Sequence, residues 1–263
     1  VGRGVMLLGQ ALAGNSAYIP LLLLMGLAGL AAMVVAVGLG VWISVRVSIG
    51  AAARQHPSFT WWVVNRLAFL VGAVNLSTFA VYFIQARLGF EREKAAGPAA
   101  FLVMVVGIFI LLSALPSGWL ADRFGRKPLV AISGVVAALG TVIALLVPSL
   151  TIIYIGGCLI GIATGLFFAA NWALGTDLVP KGEAGRYLGI SNLAGAGAGA
   201  VGAYIGGPIA DYFTVHVPDF PGLGYLLLFA IYGMLFLLSI AALAGIQTPV
   251  PSQVSPSAKT SIS

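Results

Sequence analysis

Charged residues are scarce in this 263-residue chain. Only 8% of its positions are Asp, Glu, Lys or Arg, whereas 60% are hydrophobic, and the mean hydropathy is +1.07. A soluble domain of this length does not bury so much apolar surface in its core. The composition therefore excludes a soluble globular protein and predicts an all-α integral membrane protein whose first partner is the lipid bilayer.

Cysteine and histidine are also rare. The single cysteine, Cys158, lies inside an apolar run, which excludes an intrachain disulfide. The two histidines, His56 and His216, fall in predicted loops. Because no His, Cys and carboxylate residues have the spacing of a metal site, we expect no metal and no other cofactor. The usual catalytic constellations are missing as well, so we do not expect an enzyme.

Thirteen basic residues against seven acidic ones give a net charge of +6. The basic residues are scattered at the ends of apolar runs, which is typical of membrane orientation and not of nucleic-acid binding. One side of the predicted membrane collects eight of them, at 46, 54, 123, 126, 127, 181, 186 and 259. The other side collects three, at 87, 92 and 94. This asymmetry predicts a multi-pass inner-membrane protein with a cytoplasmic C-terminus.

Seven apolar runs are long enough to cross the ~30 Å hydrocarbon layer as helices at ~1.5 Å per residue. They cover residues 20–43, 61–85, 99–120, 129–147, 151–176, 187–210 and 223–246. Gly97-Pro98, Pro128, Pro148 and Pro180 separate successive runs, as does the loop from Pro218 to Pro221.

The two ends of the chain do not form complete spans. Residues 5–13 are apolar but too short to cross a bilayer, and we interpret them as the end of a helix that begins before Val1. Residues 247–263 are rich in Ser, Pro and Thr and are predicted to be disordered.

The densest charged cluster joins the third and fourth runs, and it reads Gly118-Trp-Leu-Ala-Asp122-Arg123-Phe-Gly125-Arg126-Lys127. About eight residues lie between the runs, which leaves room only for a tight hairpin. Asp122 precedes Arg126 by four positions, the spacing that brings opposite charges together on one helical face. We expect Gly118 to permit close helix approach and Gly125 to permit a sharp change of backbone direction.

This pattern, G-x-x-x-D-R-x-G-R-K, resembles the signature loop of the major facilitator superfamily of secondary transporters at every fixed position. A basic turn that merely obeys the positive-inside rule would not require Asp122 or the two glycines. The resemblance implies that the seven spans are helices six to twelve of a twelve-helix protein. Residues 59–246 would then form the C-terminal six-helix bundle. Residues 1–58 would hold part of helix five, helix six and a cytoplasmic interdomain loop, residues 247–263 would be a cytoplasmic tail, and an N-terminal bundle of the same chain would be the partner.

A second charged cluster follows the fifth run and contains Asp177, Lys181, Glu183 and Arg186. In the resembled superfamily, acidic residues at this helix end pair with the signature loop and hold the inner gate shut. The resemblance therefore implies a latch made by Asp122, Arg126 and Asp177, with secondary members Arg123, Lys127 and Arg186.

Polar side chains in the middle of a span indicate a face toward protein or water. Asn75, Thr78, Tyr82 and Gln85 follow one another at helical spacing, and Thr164, Phe168 and Asn171 share a face beside Trp172. We expect the first three of the former set and all four of the latter to line a substrate cavity. Interhelical hydrogen bonding and aromatic packing are the alternative interpretations.

Arg66 is the only charge well inside a predicted span. It lies ~7 Å from the cytoplasmic end at helical rise, within reach of the interface. The sequence leaves open a role in substrate binding, a role in proton coupling and simple extension to the interface.

The chain lacks a phosphate-binding loop of the G-x-x-x-x-G-K-[ST] type, so an ion gradient is the expected energy source. The stretch from Asp177 to Arg186, after a helix containing Asn-Trp, is similar to glycoside cation symporters and sucrose-type carriers. This similarity implies proton- or cation-coupled uptake of a sugar or small polar solute. The alternatives are a proton-coupled drug or metabolite exporter of the same superfamily and, from another class, a seven-helix receptor or sensor without transport.

Overall fold

The computed structural model describes residues 18–180, 182–217 and 222–247. Within them the chain forms α1 (Tyr18–Ile49), α2 (Pro57–Thr78), α3 (Ala80–Leu88), α4 (Arg92–Phe124), α5 (Arg126–Leu146), α6 (Leu150–Leu178), α7 (Ala184–His216) and α8 (Leu223–Ala242), with 3₁₀ turns at Gly50–Arg54 and Leu243–Gly245. The predictions for residues 1–17, Lys181, residues 218–221 and the tail after Gln247 lie outside the described residues.

Seven of the eight α-helices in the described residues are long and apolar enough to cross a membrane. The eighth, α3, is too short. The seven include the longest helices, α4 and α7, with 33 residues each. The predicted all-α membrane fold with seven spans is therefore confirmed.

The second predicted span, residues 61–85, is not one helix. It is divided at Phe79 into α2 and α3. Just before the break, Asn75 Nδ2 donates to the Val71 carbonyl and Thr78 Oγ1 donates to the Val74 carbonyl, each four residues back. Such side-chain bonds compete with the backbone ladder and bend helices, which explains why an unbroken apolar run does not give an unbroken helix.

The prediction that Gly97 and Pro98 separate two elements is wrong. Both residues lie inside α4, which begins at Arg92. Proline lacks a backbone N–H, so it removes one hydrogen bond near the start of a 33-residue helix without ending that helix. The charged sequence before the apolar run is therefore helical and extends the span at its N-terminal end.

Glycines set the close packing around α6. Gly140 of α5 and Gly156 of α6 face each other, and a Cβ on either residue would lie within 2.7 Å of the other's carbonyl oxygen. Gly161 and Gly165 turn toward α4, where an added Cβ would meet Val106 and Ser113. Helix α6 therefore packs backbone to backbone against both neighbours, as small residues allow in membranes.

An aromatic cluster joins three helices at the centre of the bundle. Phe69 of α2 stacks on Phe167 of α6 with 3.7 Å between ring centroids, and Phe236 of α8 lies 4.9 Å from Phe69. All three side chains are fully buried. The core of the bundle therefore lies where α2, α6 and α8 meet, and this packing fixes α2 against α6.

The C-terminal end of α6 contacts α2 through a glycine. A Cβ at Gly175 would lie 2.1 Å from the Trp62 ring, whose Nε1 donates to the Asn171 carbonyl at 2.8 Å. Replacing Gly175 with Ala is expected to lower the free energy of unfolding by about 1 to 3 kcal/mol, because a held ring does not move aside. Thermal unfolding of the purified protein measures the loss.

Gly118→Ala is the matched control, since no atom lies within 4 Å of the position of its Cβ. It is expected to leave the unfolding midpoint unchanged. Equal effects of the two substitutions would contradict the packing explanation.

Three contacts gather the basic loops at one end of the bundle. Lys127 Nζ donates to the Ile246 carbonyl at 2.7 Å, Arg186 Nε donates to the Ser48 carbonyl at 2.6 Å, and the Gln247 N–H donates to Ser58 Oγ at 3.0 Å. At the end of α5 away from Lys127, the Arg87 guanidinium donates to the Leu145 carbonyl, and burial lowers the pKa of Arg87. The loops that carry Lys127 and Arg186 thus lie at one end of the bundle, and the loop after Arg87 lies at the other, which is the division used in counting the basic residues.

Candidate functional site: an ion-paired loop beside a buried polar network

The signature loop is a sharp corner between α4 and α5. Gly125 has φ +89°, a backbone conformation that residues with a side chain rarely adopt. It is both the C-cap residue of α4 and the N-cap residue of α5. The expected change of direction at Gly125 is confirmed. Because the helix ends between them, Asp122 and Arg126 do not share a helical face, and the expected pairing by spacing is wrong.

Arg126 reaches the C-terminal end of α6. Its Nη1 forms an ion pair with Asp177 Oδ2 and donates to the Ala173 carbonyl at 2.8 Å. The two side chains are 34% and 46% exposed. The structure thus brings together two of the three residues assigned to the latch, from segments that are far apart in the sequence.

The other assigned latch residues have different contacts. Asp122 is exposed and forms no ion pair in the described part of the chain. The Arg123 guanidinium lies 5.2 Å from the Trp119 ring centroid, and Lys127 reaches the end of the last helix. Arg186 contacts Glu183 and the end of α1, and it does not reach the signature loop. Among the described residues no neighbouring helix approaches Gly118, so the predicted close approach is not found there.

Arg66 belongs to a buried polar network between α2 and α6. It is 7% exposed, and its Nη1 donates to Asn171 Oδ1 at 3.1 Å. Asn171 Nδ2 donates to Asn65 Oδ1 at 2.7 Å, and Asn65 Nδ2 donates to the Ser239 carbonyl at 2.8 Å. Of the three roles that the sequence left open for Arg66, simple extension to the interface does not agree with this position, because the guanidinium stays within the bundle.

The predicted cavity residues of α2 and α3 separate into two groups. Asn75 is fully buried and donates to the Ala198 carbonyl of α7 at 3.2 Å, the interhelical bond that was the alternative interpretation. Thr78 and Tyr82 are exposed. Tyr82 stacks on Tyr225 with 5.4 Å between centroids. Their substrate contacts stay a prediction.

The Tyr82 ring lines a cavity of about 330 Å³ at the end of the bundle away from the signature loop. Gln85, Asp211 and Tyr225 are also among its lining residues. The sequence analysis placed Tyr82 and Gln85 on one face but did not consider Asp211, which lies near the end of α7. The feature that could have indicated Asp211 as a lining residue is a single aspartate near the end of a helix that is otherwise rich in glycine and alanine.

The four candidates on α6 also point in two directions. Thr164 and Asn171 are buried, and Thr164 Oγ1 donates to the Ile160 carbonyl of its own helix at 2.7 Å. Phe168 and Trp172 are 39% and 38% exposed. The four residues therefore do not form the single cavity-lining face that was predicted. Phe168 and Trp172 form a partly exposed aromatic surface, and the Asn171 amide is hydrogen-bonded inside the bundle.

Two members of the Arg66 network were missed by the sequence analysis. Asn65 precedes Arg66 directly, and a second polar residue inside an apolar run was the available signal. Trp62 belongs to the pair Trp61-Trp62 near the start of α2, and it is fully buried and donates to the Asn171 carbonyl. An aromatic pair at the start of a helix does not by itself show which ring faces the lipid.

The described residues thus form a helical bundle with seven membrane-spanning helices, an ion-paired basic loop at one end and a buried polar network inside. Residues 78–262 match the family model of the Major Facilitator Superfamily, so the chain belongs to that superfamily. This membership supports transmembrane transport and does not favour the receptor alternative.

The names of the relatives refer to chemically different compounds. The minor myo-inositol transporter IolF of Bacillus subtilis is 34% identical over 90 residues, which are 34% of this chain and 20% of that protein. The multidrug resistance protein MdtH of Photorhabdus laumondii is 29% identical over 193 residues, 72% of this chain and 46% of that protein. The class C tetracycline resistance protein of Escherichia coli is 28% identical over 160 residues, 59% of this chain and 40% of that protein.

The chain spans less than half the length of each of these relatives. No solved structure matches it significantly.

Proposed function

We propose that this chain provides one wall and the inner gate of a secondary active transporter that works by alternating access. The observation that carries the proposal is the ion pair between Arg126 of the signature loop and Asp177 of α6. It joins the signature loop to the end of α6, a contact that we propose is rearranged when the inner end of the transporter opens. Asp122, Arg123, Lys127 and Arg186 are proposed to join this network in another state of the cycle.

The strength of the pair suits a gate. Both side chains are about one third to one half exposed, and pairs in such surroundings contribute only ~0 to 1 kcal/mol. That is too little to hold the fold but enough to shift an equilibrium between two states by a few-fold. The pair is therefore proposed to bias the transporter toward the closed inner gate without locking it.

Exposed apolar side chains support a second bundle as the partner. On α4, Leu111, Leu112 and Leu115 are 70%, 58% and 84% exposed. Such a surface faces lipid or another bundle. We propose that residues 59–246 are the C-terminal bundle, that α1 is helix six, and that the basic end of the bundle faces the cytoplasm of a plasma membrane.

We propose proton- or cation-coupled uptake of a sugar or another small polar solute as the transport reaction. Aromatic rings beside amides suit such solutes, and one relative is named for myo-inositol transport. The second candidate is proton-coupled export of amphipathic compounds. The relative that covers 72% of the chain is a multidrug resistance protein, and this observation favours export.

Counterflow in proteoliposomes tests these proposals. The transporter is made from its complete gene, and labelled myo-inositol and labelled tetracycline are compared with and without a pH gradient. Inositol counterflow that responds to the gradient would support uptake of a polar solute, and tetracycline counterflow would support export. Specific binding of either compound with no flux under any gradient would contradict the transporter and support a receptor.

A further inference from the structure

We infer that Arg66 binds an anionic group of the transported solute, which is therefore a small organic carboxylate or phosphate monoester. This inference rests on the proposed transport function and names the chemical class of the solute.

Arg66 is a buried cation without a counterion. It lies in the span Pro57–Thr78, is 7% exposed, and has no carboxylate within 4.0 Å among the described residues. The nearest acid along α6, Asp177, is engaged by Arg126. A buried charge of this kind is costly unless it is paired, and a charge inside a membrane span indicates a functional site.

The hydrogen bonds of Arg66 hold the guanidinium in place and leave part of it free. Its Nη1 is taken by the amide oxygen of Asn171, whose orientation is fixed because its Nδ2 donates to Asn65. Nε is buried without a partner, and Nη2 forms no hydrogen bond within the described residues. Nε and Nη2 together are the fork that binds carboxylate and phosphate oxygens in pairs.

The surroundings also suggest what accompanies the anionic group. The guanidinium carbon lies 5.9 Å from the centroid of the buried Trp62 ring and 5.4 Å from that of Trp172, which is 38% exposed. Phe168, one helical turn from Trp172, is 39% exposed. Arg66 thus lies against aromatic rings that are partly exposed, and such rings suit the apolar part of a solute.

Proton transfer is a poor alternative for this residue. An arginine side chain stays protonated in proteins, so Arg66 does not carry a proton through the cycle. A neutral solute would leave the buried charge unpaired. A bound anion would offset this charge. Asn171, which accepts from Arg66, lies two residues before Ala173, whose carbonyl accepts from Arg126 at the gate.

The test measures binding by thermal unfolding of the complete transporter, since a ligand that binds only the folded state raises the unfolding temperature. The probes are benzoate, phenyl phosphate and the neutral isostere benzamide. Benzoate or phenyl phosphate is expected to stabilise the protein, and the stronger of the two distinguishes a carboxylate solute from a phosphate ester. Benzamide is expected to have no effect at equal concentration.

Arg66→Gln is expected to weaken binding of the anions by tenfold or more, the loss that removing a charge-assisted hydrogen bond predicts. Arg92→Gln is the matched control, because Arg92 is exposed at the other end of the bundle. If Arg66→Gln is not recovered as folded protein, Arg66→Lys decides. It is expected to keep the preference for benzoate over benzamide with a lower affinity.

Stabilisation by benzamide equal to that by benzoate would overturn the inference, and so would unchanged anion affinity in both Arg66 variants. An anion that binds through Arg66 but shows no counterflow would leave the site standing and contradict the proposed transport. Counterflow of a neutral solute that is unaffected in Arg66→Gln would support the proposed transport and contradict the anion site at Arg66.

Discussion

Replacing Asn171 with Leu is expected to lower the free energy of unfolding by about 2 kcal/mol or more. The leucine has a similar volume but leaves Arg66 Nη1 and Asn65 Oδ1 without their partners, and both groups belong to buried residues. A buried group that loses its hydrogen bond costs about 1 to 3 kcal/mol, and a charged group costs more. Denaturant titration of the detergent-purified protein measures the difference.

Thr164→Val on the same helix is the control. Thr164 is also buried, but its hydroxyl donates only to the Ile160 carbonyl of its own helix. That carbonyl keeps its backbone partner, so the valine leaves no unsatisfied group across an interface. We expect the midpoint of Thr164→Val to stay close to that of the unsubstituted protein. Equal losses in the two variants would show that the network is not what holds α2 against α6.

Opening of the inner end is the second expected result. Replacing Asp177 with Asn removes the ion pair with Arg126 and is expected to raise the accessibility of the inner end by a few-fold, with a parallel loss of transport. The fold is expected to be unaffected, because a partly exposed pair contributes only ~0 to 1 kcal/mol. The measurement is the rate at which an impermeant maleimide in inside-out vesicles modifies a cysteine placed at Leu174, which is 1% exposed in this structure, with Cys158 replaced by Ala.

Two comparisons make this result specific to the pair. Exchanging the charges in the double variant Arg126→Asp with Asp177→Arg is expected to restore part of the slow labelling. Glu183→Gln removes an exposed contact within one segment, 3.6 Å from Arg186, and is expected to change neither labelling nor transport. Rapid labelling in the exchanged variant would assign the effect of Asp177→Asn to something other than charge pairing.

Raised ionic strength is a further check on the same pair, because salt screens partly exposed charges. It is expected to shift the unsubstituted protein toward the labelling rate of Asp177→Asn. The variant itself is expected to respond little.

The positions of the spans followed from the sequence because they depend on hydropathy, which is a local property. Their limits did not. The Asn75 and Thr78 side chains divide one apolar run at Phe79, and α4 continues through Pro98. Both outcomes depend on where individual hydrogen bonds form, which hydropathy does not record.

The candidate site was predictable in composition but not in its pairings. The sequence pointed to Arg126, Asp177, Arg66 and Asn171. It paired Asp122 with Arg126 because spacing along a helix assumes that the helix continues. Gly125 ends that helix, and the partner of Arg126 comes from α6 instead.

The sequence by itself determined that this chain crosses a membrane several times as helices, and the signature residues pointed to its superfamily. Apolar length and loop charge act on each segment separately, so a linear pattern is enough for them. Only the tertiary structure decided that Arg66 is held within the bundle and not at the interface, and that Asp177 is the acid which meets the signature loop. These contacts join residues from distant helices, and they exist only after glycines such as Gly156 and Gly175 have let the helices approach.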